Sequence, residues 1–288
     1  MRILVIGKNG QLGKSFQKQI PKKRSTHHFN FVGTDELDLT SLDNIYSYFN
    51  HNIFDIIINC GAYTAVDNAE KEPKLANQVN HLAVAELAKI SKLKRCKLIH
   101  ISTDYVFDGK TNDPYMESEP TNPINVYGKT KLAGERAILN TMEKNGLIIR
   151  TSWLYSVYGN NFVNSMITMG PKSKALNIVS DQIGSPTYAI DLVDVILKIT
   201  NTEKFISHNI LTEVFHFSNI GTISWDKFAK EIFKIKKINC KINPISLKEY
   251  KSLARRPKNT SMNKDKIKSA YGIDLIFWKD SLKRCLES

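Results

Sequence analysis

Short apolar, β-branched runs alternate with amphipathic stretches along the first half of the chain. RILVIG (2–7), FNFVGTD (29–35), FDIIINCGAY (54–63), KLIHIST (97–103) and LIIRTSWLY (147–155) read as strands. Between them QLGKSFQKQI (11–20), SLDNIYSYFN (41–50), PKLANQVNHLAVAELAKISK (73–92) and YGKTKLAGERAILNT (127–141) carry helical spacing. Continuously apolar strands separated by helices predict a parallel sheet covered on both faces. After residue 155 the segments become shorter and more polar. DLVDVILKIT (191–200) and VFHFSNIG (214–221) nevertheless return to the helix and strand texture of the sheet. A second domain interleaved with the first is expected, not one appended to it.

Composition narrows the class. The chain has 288 residues, 42% hydrophobic and 24% charged, as in ordinary globular enzymes. No apolar run approaches the roughly 20 residues of a membrane span. The first strand starts at residue 2 and breaks at Gly7, too short for an apolar signal core, so a cytoplasmic protein is expected. Cys60, Cys96, Cys240 and Cys285 lie far apart without a CxxC pair, which points to neither a zinc site nor a disulfide framework. The net charge of +13 raises nucleic acid as a partner. The basic residues are scattered, however, and no aromatic RNA-binding motif or zinc finger accompanies them, so no nucleic-acid partner is expected. The same charge suits an anionic small substrate.

GKNGQLG places Gly7, Gly10 and Gly13 between a strand and a helix, the setting of a dinucleotide-binding loop. The first glycine allows the turn, the second lets backbone amides approach a pyrophosphate, and the third permits close helix–strand packing. The expected fold class is therefore α/β: a Rossmann-like doubly wound parallel sheet with a smaller, interleaved α/β substrate-binding domain. The NAD(P)-binding part takes 1–152 plus about 189–220, and the substrate-binding part about 153–188 plus 221–288. Asp35 is the candidate acid for the adenosine ribose, and Asp38 and Leu39 fall where a loop would touch adenine. If Gly33 or Thr34 sits at the ribose instead, there is room for a 2′-phosphate, with Lys8 as its partner. NADPH and NADH both stay open, with a lean to NADPH.

HISTDYVFDG (100–109) ends a strand on Ser102, Thr103 and Asp104, at the carboxyl edge where ligands of parallel sheets bind. Downstream, Tyr127 and Lys131 are four positions apart, about one helical turn. Reduction of a carbonyl needs a proton donor beside the forming alkoxide. A free tyrosine, with a pKa near ~10, is a sluggish acid, and a neighbouring ammonium favours its phenolate. A Thr103 hydroxyl would polarise the same oxygen. The pair alone also fits a plain surface helix; the glycine loop and STD in this order make it a catalytic constellation.

These motifs resemble the extended short-chain dehydrogenase/reductase superfamily. More narrowly, GKNGQLG, GAYTAVDNAE, HISTDYVFDG, PTNPINVYGKTKLAGE, RTSWLY, NNFV, DQIGSPT and ARRPKNTSMN resemble the dTDP-4-dehydrorhamnose reductases, from residue 7 to about 263. The resemblance implies NAD(P)H-dependent reduction of a dTDP-4-keto sugar, with Tyr127 as proton donor, Lys131 tuning it and Thr103 supporting it. It further implies that Gly10, Gln11 and Leu12 line the pyrophosphate, that Ala62, Tyr63 and Thr64 touch the cofactor, and that Thr103, Asp104 and Trp153 meet the sugar nucleotide. Trp153 offers a flat apolar face to a deoxysugar, or simply packs in the core. Asn161 and Phe162 suit hydrogen bonding and stacking, and Gln182 and Thr187 lie on a Gly/Pro-shaped loop that would order around the nucleotide or form a plain turn. Arg255 and Arg256 would neutralise the diphosphate, or form a solvated basic loop.

Some members of this family are metal-bridged dimers. Ser15 and Ile190 stand near positions where acidic ligands are expected, so Mg2+ is not supported, and a monomer or homodimer is expected. Two rival readings follow from the same fold. One is a reductase or epimerase of another nucleotide sugar. The other is a non-catalytic regulatory subunit, which would have no need of the intact set Thr103, Tyr127 and Lys131.

Overall fold

A computed structural model describes residues 1–23, 26–207 and 210–287. Six parallel strands form the central sheet: β1 (Arg2–Ile6), β2 (His28–Val32), β3 (Ile56–Asn59), β4 (Lys97–Thr103), β5 (Gly146–Thr151) and an edge strand, Glu213–His216. Their order is β2-β1-β3-β4-β5 and then the edge strand. The direction of winding reverses between β1 and β3, so a crevice opens beyond their carboxyl ends, where ligands of doubly wound sheets bind.

Period-two alternation assigns each face. Ile3, Val5, Ile56, Ile58, Ile99, Leu147 and Ile149 pack against helices Gln11–Lys23 and Ala189–Thr200. Leu4, Ile6, Ile57, Leu98 and Ile148 pack on the other face with helices Leu42–His51, Ala83–Leu93 and Val126–Thr141. Both faces are buried, which explains strands without polar alternation. The doubly wound sheet expected from the sequence is thus present.

The second lobe has its own core, in which Tyr155, Val163, Met166, Tyr188, Phe228, Ile232 and Leu282 meet. It is built from helices Phe162–Met169, Trp225–Lys236 and Trp278–Leu286 with three short two-stranded ladders. Ile267, Tyr271 and Ile273 pack instead into the sheet's core, although the sequence reading grouped them with the second lobe. Their spacing says that they are buried, but not under which lobe.

Two expected elements differ in a way that shapes the crevice. The run 147–155 is not one strand. β5 stops at Thr151, Trp153 takes a left-handed backbone (φ 47), and Leu154–Tyr155 pairs with Thr187–Tyr188. The run 73–92 is not one helix either. A π-helical turn, Gln78–Leu82, interrupts it before Ala83–Leu93. That turn directs Asn80 back to residue 63, where its amide brackets Tyr63 by accepting from the backbone N–H at 2.9 Å and donating to the carbonyl at 3.0 Å. Helix Val126–Thr141 lies so close to the turn that a Cβ on Gly134 would come within 2.3 Å of the Asn80 carbonyl oxygen.

Candidate active site

The glycine loop opens the crevice. Gly7 has φ 91, and its amide and that of Lys8 both donate to the Val32 carbonyl at 2.9 Å. A Cβ on Gly13 would lie 2.2 Å from the Gly7 oxygen, so the helix can start this close to β1 only with glycine there. Among the described residues the amides of Gln11, Leu12 and Gly13 find no hydrogen-bond acceptor. Orphan first-turn amides at a helix N-terminus suit a pyrophosphate, so these residues fit the dinucleotide that the sequence implies.

Two cavities meet at this loop and share Asn9, Gly10, Cys60 and Ala62. The smaller, about 360 Å³, is lined by Gly33, Thr34, Asp38, Leu39 and Tyr63, as an adenosine pocket would be. The larger, about 650 Å³, runs past Thr64, Thr103, Asp104, Tyr127 and Lys131 to Trp153, Asn161 and Phe162. It is large enough for a nicotinamide and a sugar side by side. Asp35, the candidate ribose acid, is exposed and lies outside the lining. Lys8 pairs with Glu36, whose other oxygen accepts from the Gly33 amide at 2.9 Å. A 2′-phosphate would therefore compete with Glu36 for Lys8.

The catalytic candidates converge on the larger cavity. The side chain of Asn125 caps helix Val126–Thr141 by accepting from the Gly128 amide at 2.7 Å. Tyr127 follows the cap, half-buried, with its ring edge-on to Tyr105 at 5.7 Å. Burial raises its phenol pKa; a hydrogen bond with Thr103 opposes the rise, and Asp104 and Tyr105 add to it. Lys131, one turn on, is 1% exposed. Its Nζ donates to the Ile101 carbonyl at 2.7 Å and lies 3.2 Å from His100 Nε2. Burial lowers its pKa to about 8, against the opposing pull of Glu135 and Cys60. The Thr103 hydroxyl donates to Asp104 Oδ1 at 3.0 Å. Burial pushes the Asp104 carboxyl up to about 6, partly offset by the Thr260 and Thr103 hydroxyls.

The far wall is aromatic. Trp153 stacks on Trp225, with ring centroids 3.4 Å apart, and Phe162 leans on Trp225 at 4.4 Å. Asn161 caps helix Phe162–Met169 and ties the lobes by donating to Gln11 Oε1 at 2.9 Å. Gln182 accepts from Trp225 Nε1 at 3.1 Å, and the Thr187 hydroxyl accepts from Thr151 at 3.3 Å. Neither arginine candidate lines the cavity. Arg255 is exposed, and its carbonyl accepts from Asn125 Nδ2 at 2.8 Å. Arg256 pairs with Asp67 at 2.5 Å and donates at 3.3 Å to the hydroxyl of Tyr105, which does line the cavity. Ser15, considered as a metal-ligand position, is buried and donates to the Gln11 carbonyl at 2.8 Å.

Sequence reasoning missed several residues. His100, Asn59 and Asn80 sit under the Tyr–Lys pair, and Trp225 doubles the aromatic wall. Glu135 and Arg150 form a buried ion pair at 2.7 Å that also receives the Ser102 hydroxyl. The Asn80 amide donates to Thr130 Oγ1 at 3.2 Å, but Asn77, Gln78 and His81 beside it are polar as well, so the sequence does not single it out.

The chain is similar throughout to known reductases. Its residues 1–288 match the model of the RmlD substrate binding domain. A dTDP-4-dehydrorhamnose reductase of Sinorhizobium fredii is 39% identical, over 99% of this chain and 96% of its own length. The crystal structure of a dTDP-4-dehydrorhamnose reductase from Clostridium acetobutylicum superposes with a TM-score of 0.92 at 36% identity, covering 100% of this chain and 99% of that one. That of the Bacillus anthracis dTDP-4-dehydrorhamnose reductase, in complex with NADP, gives 0.91 at 36% identity with the same coverage. With its glycine loop, STD strand end and Tyr–Lys helix gathered at one crevice, the chain belongs to the dTDP-4-dehydrorhamnose reductase family, that of the RmlD substrate-binding domain.

Proposed function

We propose that this protein uses NADPH or NADH to reduce the C4 ketone of dTDP-4-dehydro-β-L-rhamnose to dTDP-β-L-rhamnose, the last step of dTDP-L-rhamnose synthesis. The observation that carries the reading is the convergence of Thr103, Tyr127 and Lys131 on one cavity that the glycine loop also lines. When bound, the nicotinamide supplies the hydride. Tyr127 gives its phenolic proton to the oxygen on C4 as negative charge grows there. Burial keeps that phenol protonated until a stronger base, the developing alkoxide, faces it. The Thr103 hydroxyl holds the same oxygen in line, and Lys131 places positive charge beside the phenolate that remains. Gln11 and Leu12 offer backbone amides to the pyrophosphate, and Ala62, Tyr63 and Thr64 flank the cofactor. Asp104, Trp153 and Asn161 take the sugar nucleotide, with the Trp face against the hydrophobic 6-methyl group.

In this reading the lobe around the sheet takes the cofactor and the lobe around Phe228 and Trp225 takes the sugar nucleotide, which the two separate cores support. The protein works in the cytoplasm as a monomer or homodimer, without nucleic acid. Among the described residues no helix is long and apolar enough to cross a membrane. The test supplies dTDP-4-dehydrorhamnose made in situ and follows NAD(P)H loss with each cofactor. Oxidation with at least one is expected, and none with either overturns the reading. Tyr127→Phe is expected to cut turnover about 10²-fold or more while the cofactor still binds.

A further inference from the structure

Asn59 and His100 are register partners on adjacent strands β3 and β4, beneath Lys131. The Asn59 amide has a fixed orientation, because its Oδ1 accepts from the Gly61 N–H at 3.0 Å. Its Nδ2 therefore faces His100 Nδ1, 3.2 Å away, as a donor. His100 is fully buried, and burial followed by the Lys131 charge holds its pKa well below the ordinary value, so the ring is neutral with one proton. Since Nδ1 must accept from Asn59, that proton sits on Nε2 and points at Lys131 Nζ, 3.2 Å away. An ammonium there would set N–H against N–H. An amine accepts the His100 proton and still donates to the Ile101 carbonyl at 2.7 Å. The other groups facing Nζ are Cys60 after β3 and Glu135 on its own helix, and Glu135 is already paired with Arg150 from β5.

We propose that His100, with its tautomer fixed by Asn59, is a positioning residue that stabilises the amine form of Lys131. The lysine then gives up its proton easily when the tyrosinate left by substrate reduction must be refilled. In that step Lys131-NH3+ loses one proton and the Tyr127 phenolate gains one, so the site returns to its starting phenol with a neutral amine held by His100 Nε2–H. Solvent then restores the ammonium. This rests on the proposed role of Tyr127 and Lys131, but its test does not need turnover.

The test is nitrogen-15 NMR of the full chain labelled at histidine, with the His100 signals assigned by their loss in His100→Gln. A neutral Nε2–H tautomer across neutral pH is expected. A neutral Nδ1–H tautomer or an imidazolium overturns the proposal whether or not the protein reduces any sugar. Asn59→Asp, which offers an acceptor in place of the donor, is expected to switch His100 to Nδ1–H. It should also move the alkaline limb of kcat upward by about one pH unit, a tenfold change in proton affinity. If Asn59→Asp changes thermal stability but leaves tautomer and pH profile where they were, His100 is only packing and the proposal fails.

Discussion

Trp153 and Trp225 lie face to face, ring centroids 3.4 Å apart and planes 6° from parallel, although they come from different elements of the chain. Trp153 reaches this position through a left-handed backbone at the end of β5, and Gly184 has no side chain because a Cβ would meet the indole at 2.5 Å. Trp225 thus backs the ring proposed to receive the deoxysugar. Trp225→Ala is expected to raise KM for the nucleotide sugar about 3- to 10-fold, in line with the ~0.5–1.5 kcal/mol of an aromatic pair, and to leave cofactor affinity unchanged. Steady-state kinetics with each substrate varied separates the two; equal loss of cofactor affinity would show that the stack holds the whole crevice.

Lys8 is paired with Glu36 at the rim of the smaller cavity. The pair is partly exposed and solvent screens it, so it holds Lys8 only weakly. Glu36→Gln removes the competing carboxylate and is expected to improve kcat/KM for NADPH over NADH by about 2- to 5-fold. Lys8→Ala should shift the ratio the other way. Measuring both cofactors in each variant checks this, and an unchanged ratio in both would place the ribose away from Lys8.

How much of this was legible in sequence depends on range. The parallel sheet announced itself because a strand buried on both faces needs only its own residues to look apolar. The glycine loop and the Tyr127–Lys131 pair are likewise local, set by three and four positions along one turn or helix. His100 gave no such signal, since its partners are Asn59 on the next strand and Lys131 on a covering helix. Arg255 and Arg256 were indistinguishable as neighbours in an irregular segment, where no period says which side chain turns inward. The partner of Arg256, Asp67, stands 189 positions away in the sequence. The breaks at Trp153 and at the π-turn were missed because strand and helix patterning carries across a one-residue kink.

Asp104 gives stability a pH dependence of definite sign. Its folded carboxyl titrates at about 6 against an ordinary 3.8, so the folded protein holds this proton more tightly than the unfolded chain. Between those values stability falls as pH rises, and the loss is complete above about 6. At ~1.4 kcal/mol per pH unit the gap corresponds to no more than about 3 kcal/mol. Asp104→Asn is expected to raise Tm by a few degrees at pH 7.5 and to match the native protein near pH 4, while turnover falls. Thermal melts across pH check it; a gain that persists undiminished at pH 4 would mean that the asparagine stabilises by some other contact.

The Glu135–Arg150 pair ties β5 to the helix that carries Tyr127, and the Ser102 hydroxyl on Glu135 joins the neighbouring catalytic strand β4 to it. Both side chains are almost fully buried, Arg150 donates to both Glu135 oxygens from Nε and Nη2, and the Ser102 hydroxyl adds a further bond beside Thr103. Arg150 also rests on the Phe107 ring at 5.1 Å. Removing one charge leaves the other desolvated without compensation. Glu135→Gln is therefore expected to cost about 3–5 kcal/mol of unfolding free energy in urea. Replacing both by apolar residues of similar volume, Glu135→Leu with Arg150→Met, should recover most of that loss, because the desolvation of both ions is then avoided. Turnover should not recover with it, since Ser102 loses its acceptor at the strand end that presents Thr103. A double variant as unstable as the single one would mean that the pair contributes net stability to this fold.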